Sequence, residues 1–210
     1  IRDRLANKEC LLSSTYEPSS KTKMKLRAAP GAGTMYLQSE CAEALAELFA
    51  GAEEAGYKLY LKSAYRAYKT QKTMYNNRLE RNNGKDDGWV SKPGASDHQT
   101  GLGCDVVPGS WKDKSMNSNM ASTPECQWMA EHCYEYGFVI RYPEDKQDIT
   151  EINYEPWHLR YVGKEVARYI WRNGLCLEEF HEQLQAAIDA YLAAGGDARR
   201  VEDLIQTSAE

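Results

Sequence analysis

Three side chains that can ligate a metal fall into two short clusters of this sequence. His98 and Asp105 lie in the first cluster, residues 96–105, and His158 lies in the second, residues 155–161. Two neutral imidazoles and one carboxylate form a ligand set typical of catalytic zinc, which keeps a position open for water. Structural zinc is instead closed by four ligands, mostly sulfur. We therefore predict that His98, Asp105 and His158 bind Zn²⁺.

Glu155, three residues before His158, is the predicted general base. Zinc lowers the pKa of bound water from about 15.7 to about 7. A carboxylate beside that water can take its proton and return it to a leaving amine. The ligands and Glu155 together predict hydrolysis of an amide bond.

The two clusters also carry a resemblance to a known family. The pattern Ser-x-His-x6-Asp at 96–105, followed by Glu-Pro-Trp-His-x-Arg-Tyr-Val-Gly at 155–163, resembles the VanY-type D-alanyl-D-alanine carboxypeptidases. The segments 63–71 and 136–143 are similar to further motifs of that family, in the same order. Gly103 stands where the family usually has alanine. The resemblance implies a zinc peptidase that trims the C-terminal D-Ala of peptidoglycan stem peptides.

The resemblance also implies which residues bind the substrate. Arg66 and Gln71 belong to the segment 63–71, which is similar to the family's substrate segment. The planar guanidinium of Arg66 suits a terminal carboxylate or a developing oxyanion. Ser96 is expected to add a hydroxyl contact to the same carboxylate. Tyr154 and Trp157 are expected either to line the substrate groove or to lie in the core.

The charge and hydropathy of the chain limit its partners and location. A net charge of −5 and a pI of about 5.5 argue against a nucleic-acid partner, which needs a basic face to neutralise phosphates. No stretch approaches the roughly 18 apolar residues that span a bilayer, and the first residues show no signal-peptide pattern. Because the sequence does not begin with Met, we expect that the native protein carries an export signal or anchor. We expect the protein to be extracytoplasmic and monomeric.

The six cysteines leave two alternatives open. None forms a Cys-x-x-Cys pair, so a cysteine zinc site is not predicted. An even number suits disulfides in an exported protein. However, Cys126, Met129, Ala130 and Cys133 follow the spacing of one buried helix face, which favours free thiols and excludes a bridge between Cys126 and Cys133.

Hydrophobic periodicity and breaker residues predict an α+β domain: a small antiparallel sheet carrying the zinc site, flanked by helices, with a helical C-terminal extension. Residues 1–175 form the predicted catalytic domain, residues 1–35 being an irregular arm, and residues 176–210 form the extension. Ser39 is the predicted cap of the first helix, and Ser122 to Glu125 form a predicted capping box. The predicted helices cover 39–55, 70–82, 125–136, 164–172, 177–192 and 198–205, and the predicted strands cover 58–63, 105–107, 138–142 and 152–161.

Three alternative functions remain open from the sequence. An L,D-carboxypeptidase or a D,D-dipeptidase would use the same metal site, because the attacking water does not sense the stereochemistry of the substrate. A catalytically silent wall-binding or signalling module is the alternative from another class. Glu155 argues against this last alternative, because a binding module needs no general base. His132 and His181 lie on predicted helices and are assigned no role.

Overall fold

Residues 4–201 are described by a computed structural model, in which helices pack around a four-stranded antiparallel sheet. The predicted α+β class is confirmed. The strands are β1 (Thr22–Lys23), β2 (Tyr36–Leu37), β3 (Leu59–Ser63), β4 (Gly103–Pro108), β5 (Phe138–Ile140) and β6 (His158–Tyr161). The helices are α1 (Ser39–Glu54), α2 (Tyr68–Arg81), α3 (Pro124–His132), α4 (Gln147–Thr150), α5 (Lys164–Asn173) and α6 (Leu177–Ala193).

The sheet has the strand order β3-β4-β6-β5, with antiparallel pairing throughout. Every residue of the two central strands, β4 and β6, is buried. Register places Ser63 opposite Asp105, and Asp105 opposite His158. Ser63, Asp105 and His158 therefore lie in one row across the sheet.

Helix α1 covers the sheet with the predicted apolar face, in which Leu45, Leu48 and Ala52 are fully buried. The predicted cap is wrong. Gln38 precedes the helix, and Ser39 is its first residue, with its hydroxyl 2.9 Å from that of Thr22. The hydroxyl of Ser39 therefore links the start of α1 to the arm and does not cap the helix backbone.

Helix α3 is capped one residue later than predicted. The hydroxyl of Thr123 accepts from the backbone N–H of Cys126, and α3 ends at His132. The chain then tightens into a 3₁₀ turn, Cys133–Tyr136, and leaves it at Gly137 with a φ of 86°. All six cysteines are free thiols in this structure, and all except Cys10 are buried.

The strand that carries the second histidine is shorter than predicted. It begins at His158, and Pro156 lies in a turn directly before it. Because β6 is an inner strand, Pro156 marks a break in the chain rather than a sheet edge.

The two ends of the described chain lie against the sheet domain. In the arm, Ala29 donates a backbone hydrogen bond to Leu61 on the edge strand β3. At the other end, Leu177 at the start of α6 is buried in a small core cluster with Val139 and Ile170. The division of the chain at 175 stays a prediction. Of the predicted last helix, residues 198–200 form a 3₁₀ turn, and 202–205 lie outside the described residues. Among the helices described, none is both long and apolar enough to cross a membrane.

Candidate active site

His98, Asp105 and His158 converge in the middle of the sheet. Each offers one ligand atom, and these atoms lie within 4.8 Å of one another. Asp105 and His158 meet because they are partners across β4 and β6, while His98 lies in the 3₁₀ turn Asp97–Thr100 that precedes β4. All three side chains are buried. The fold therefore brings together the three residues predicted as metal ligands.

The contacts of each imidazole indicate which of its nitrogens is directed at Asp105. Nδ1 of His98 donates to the carbonyl of Ala64 at 2.7 Å, so its Nε2, 3.4 Å from Oδ2 of Asp105, is the free donor of an electron pair. For His158, Nδ1 lies 3.1 Å from Oδ1 of Asp105, and Nε2 points to Oδ2 of Asp97 at 3.8 Å. Two imidazole nitrogens and a carboxylate, each histidine backed by an oxygen, form a donor set that fits zinc.

The charges around the ligands favour a cation. Burial would lower the pKa of His158, but the carboxylates of Asp105 and Asp97 raise it to about 9. Burial would likewise raise the pKa of Asp105, but His98 and His158 hold it well below its usual range. The pKa of His98 is lowered, first by burial and then by the charge of Arg66. Positive charge is thus stabilised on the side of the cluster where His158 and Asp105 meet.

Glu155 lies beside these ligands. Its Oε2 is 3.6 Å from Nδ1 of His158, and its backbone N–H donates to the carbonyl of Tyr142. Burial raises its pKa to about 8, and the carboxylate of Asp105 adds to this effect, whereas His158 and Arg66 oppose it. A carboxyl whose pKa lies near neutrality can both accept and release a proton at ordinary pH. The general-base role of Glu155 stays a prediction, which this pKa permits.

One cavity of about 360 Å³ opens onto the cluster. It is lined by Arg66, Gln71, Met74, Arg78, Trp89, Val90, Ser91, Ser96, His98, Asp105, Met116, Asn117, Tyr142, Glu155, Trp157 and His158. The lining includes every residue predicted to act on the substrate except Tyr154. Tyr154 is half-buried, and its backbone N–H donates to Gln147 instead. Trp157 lines the cavity and also belongs to the core. Its contact with a substrate stays a prediction.

Arg66 is held in the cavity wall by two neutral acceptors. Its Nη1 donates to Oε1 of Gln71 at 2.8 Å, and its Nη2 donates to Oγ of Ser63 at 3.0 Å. Gln71 is itself fixed, because its Nε2 donates to the carbonyl of Ser91 at 2.7 Å. These bonds occupy one N–H of each terminal nitrogen, and a guanidinium has five. The orientation of the fork is therefore set before any substrate binds.

The sequence profile of the VanY family, described as D-alanyl-D-alanine carboxypeptidase, matches residues 34–164. This chain belongs to the VanY family. The family is described as carboxypeptidases, which are peptide hydrolases. Membership therefore makes this chain a carboxypeptidase. Among curated relatives, YodJ of Bacillus subtilis is 39% identical over an alignment of 184 residues, and the match covers 86% of this chain and 67% of YodJ. The chain spans about half the length of two enterococcal D-alanyl-D-alanine carboxypeptidases that it also matches.

Two solved structures place this VanY member among enzymes of both stereochemical classes. The LdcB LD-carboxypeptidase matches with a TM-score of 0.79 and 40% identity, covering 85% of this chain and 84% of LdcB. A mutant of the vancomycin-resistance D,D-pentapeptidase VanY, in complex with Zn(II), matches with a TM-score of 0.70 and 28% identity, covering 85% and 98%.

The structure of this VanY member adds cavity residues that sequence reasoning missed. Trp89 stacks on Trp157 with 6.4 Å between ring centroids, and Tyr142 packs against the ring of His158 at 5.1 Å. Tyr142 falls in the segment 136–143 that carries the resemblance, so its place near the site had a sequence signal. Trp89 had none, because it lies in a loop without periodicity.

Proposed function

We propose that this chain is a zinc-dependent carboxypeptidase that releases the C-terminal D-Ala of peptidoglycan stem peptides. The observation that carries the proposal is the shared cavity, in which the three ligand atoms, the Glu155 carboxylate and the Arg66 guanidinium all face one space. The ligand atoms can hold a cation, Glu155 can transfer a proton, and Arg66 can bind a carboxylate. Their combination is what hydrolysis of a terminal peptide bond requires.

His98, Asp105 and His158 are the proposed zinc ligands, and zinc held there would polarise the scissile carbonyl and activate water. Arg66 binds the free carboxylate of the substrate through the N–H groups that Gln71 and Ser63 leave open. Glu155 accepts the proton of the attacking water and returns it to the leaving amine, which departs as free D-Ala. Burial raises the pKa of Glu155 toward neutrality, where a carboxyl group can both accept a proton and release it.

Other residues orient these groups. Ala64 fixes the tautomer of His98, and Asp97 lies behind His158. Ser96 is buried in the cavity wall and is proposed to contact the substrate carboxylate beside Arg66. Trp157 and Trp89 form an apolar wall, which suits the methyl group of alanine.

The test is release of D-Ala from a synthetic stem pentapeptide by the purified protein, before and after removal of zinc by a chelator. Activity that disappears with the metal and returns on its addition supports the proposal. Activity that survives complete metal removal would refute zinc dependence. A stably folded protein without hydrolysis under any metal would instead favour the silent wall-binding alternative.

The second candidate is an L,D-carboxypeptidase, which the stronger likeness to LdcB favours in both identity and TM-score. Both candidates release D-Ala and differ in the residue that precedes it. A stem tetrapeptide presents an L-D bond at its end, whereas the pentapeptide presents a D-D bond. Preference for the tetrapeptide would select the L,D candidate. Cleavage of free D-Ala-D-Ala would reveal the D,D-dipeptidase alternative.

The proposed substrate also locates the enzyme. Finished peptidoglycan lies outside the cytoplasmic membrane, so we propose an extracytoplasmic protein. We further propose that it acts as a monomer, with no nucleic-acid partner. Cell fractionation tests the location, and light scattering tests the oligomeric state.

A further inference from the structure

A buried chain of ion pairs leads from His158 to helix α6. Nε2 of His158 lies 3.8 Å from Oδ2 of Asp97, and the same oxygen lies 2.7 Å from Nε of Arg141. Arg141 in turn forms a two-point contact with Glu178, with Nη2 to Oε1 at 2.6 Å and Nη1 to Oε2 at 2.8 Å. A proposed zinc ligand is thereby connected to the second residue of α6.

The charges in this network cancel. Asp97 is also bound by Arg160, and the side chains of Asp97, Arg141 and Arg160 are all completely buried. Glu178 supplies the second negative charge that balances the second arginine, with only 11% of its side chain exposed. Removing one partner of a buried ion pair leaves an uncompensated charge, which is strongly unfavourable. Loss of the Glu178 charge would leave one positive charge in excess next to His158.

Backbone carbonyls of the arm hold the same guanidinium groups. Arg141 Nη2 donates to the carbonyl of Ala6 at 3.4 Å, and Arg160 Nη2 donates to the carbonyl of Arg4 at 2.6 Å. The amide of Asn7 donates to Glu178 at 3.3 Å. Three separate segments, the arm, the sheet and α6, thus converge on the ion pairs behind His158.

The sheet leaves little room around Asp97. A Cβ added at Gly103 would lie 2.8 Å from the Cβ of Asp97, a distance that real side chains do not tolerate without a shift. Asp97 is therefore confined by packing on one side and by two arginines on the other. Because Oδ2 of Asp97 lies near both His158 and Arg141, its contact with His158 competes with its contact to that arginine.

We propose that Glu178 is a positioning residue for the metal site: by binding Arg141, it leaves the Asp97 carboxylate available to orient His158. This inference rests on the proposed function, because it takes His158 as a zinc ligand. Without Glu178, Arg141 draws Asp97 fully to itself, and the excess positive charge opposes a divalent cation. Helix α6 is then part of the metal site rather than an appendage to it.

Glu179 provides a matched control on the same helix. It forms an ion pair with Lys146 at 3.0 Å and accepts from the backbone N–H of Cys176 at 2.8 Å. Glu179→Gln therefore removes the same charge from the next residue and weakens the start of α6. Its ion-pair partner lies outside the Asp97 network, so the metal site should not sense the change.

The experiment compares the zinc affinity of the full chain, by competition with a chromophoric chelator, in wild type, Glu178→Gln and Glu179→Gln. Loss of the group directly behind a ligating histidine typically weakens metal binding about 10- to 100-fold. Glu178 acts through Arg141 and Asp97, so we expect a weakening near the lower end of this range for Glu178→Gln and none for Glu179→Gln. Thermal unfolding of the zinc-free proteins is recorded alongside, because both variants should lose stability. Equal zinc affinity in Glu178→Gln and wild type, or equal weakening in both variants, would overturn the inference.

Glu178→Asp keeps the inference testable if Glu178→Gln does not fold. It retains the charge but shortens the reach, so the two-point contact with Arg141 weakens and zinc affinity should fall between wild type and Glu178→Gln. Wild-type affinity in Glu178→Asp would then count against the proposal. Absence of zinc binding in wild type would refute the proposed function instead, so the two failures are distinguishable.

Discussion

Arg66→Lys tests whether this carboxypeptidase recognises its substrate through a two-point contact. The substitution keeps the positive charge in the cavity but replaces the planar fork by a single ammonium group with three donors. In the structure the fork is held by Gln71 and Ser63, 2.8 and 3.0 Å away. A lysine that satisfied both acceptors would have one donor left for a substrate carboxylate.

The expected magnitude follows from the loss of one hydrogen bond to a charged group. Such a bond contributes about 1.5 to 3 kcal/mol, and about 1.4 kcal/mol corresponds to a factor of ten. Arg66→Lys should therefore lower kcat/KM by about 10- to 150-fold for a stem peptide with a free C-terminus. For the corresponding C-terminal amide, the loss should be much smaller, because the amide cannot use the two-point contact.

The ratio of kcat/KM for the acid to that for the amide separates recognition from general damage to the cavity. It should be high in wild type and fall in Arg66→Lys. Arg27→Lys is the control, because Arg27 pairs with Glu53 and lies outside the cavity lining. Wild type that cleaves the amide as fast as the acid, or an unchanged ratio in Arg66→Lys, would refute the role of Arg66.

Three further predictions concern the metal, the base and acid stability. His98→Ala and His158→Ala should each lose most bound zinc by elemental analysis, and full zinc content in both would contradict the ligand assignment. Glu155→Gln should retain zinc but lose about 10²-fold or more in kcat, since an amide cannot accept the proton; near-normal turnover would place the base elsewhere. Burial would raise the pKa of Glu178, but Arg141 lowers it below its ordinary value of 4.5. The ionised Glu178 therefore contributes its full stabilisation at pH values above 4.5, and this contribution is lost as the pH falls through the lowered pKa. The difference in free energy of unfolding between wild type and Glu178→Gln should therefore become smaller in acid.

The sequence was sufficient to predict which residues meet at the cluster, because all of them lie in two short motifs that can be recognised from residue type and spacing. The same holds for the apolar face of α1 and for the strand at 59–63, where periodicity reports burial directly. Tyr154 shows the limit of this reasoning. It stands next to Glu155 in sequence, but Glu155 lines the cavity and Tyr154 does not.

Partners far apart in sequence escaped prediction for a different reason. Arg141 and Glu178 are 37 residues apart, and each looks like a surface residue of its own element. Only packing reveals that both are buried together behind His158. A charged residue can be recognised as buried from sequence only when its partner is also known, since an unpaired charge is not tolerated in the interior.

The convergence of the cluster itself follows from strand register. Asp105 and His158 are direct partners across β4 and β6, and in an antiparallel pair a slip of one residue would turn one of them to the opposite face of the sheet. Two features favour this register. The strands β4 and β6 are buried throughout, and Pro156, which has no N–H to donate, lies in the turn just before β6. His98 is then added from the turn before β4, anchored by Ala64 at the end of the neighbouring strand β3. The proposed metal site therefore depends on the pairing of three strands, and a substitution that loosened this pairing would be expected to lose metal binding before it unfolded the rest of the domain.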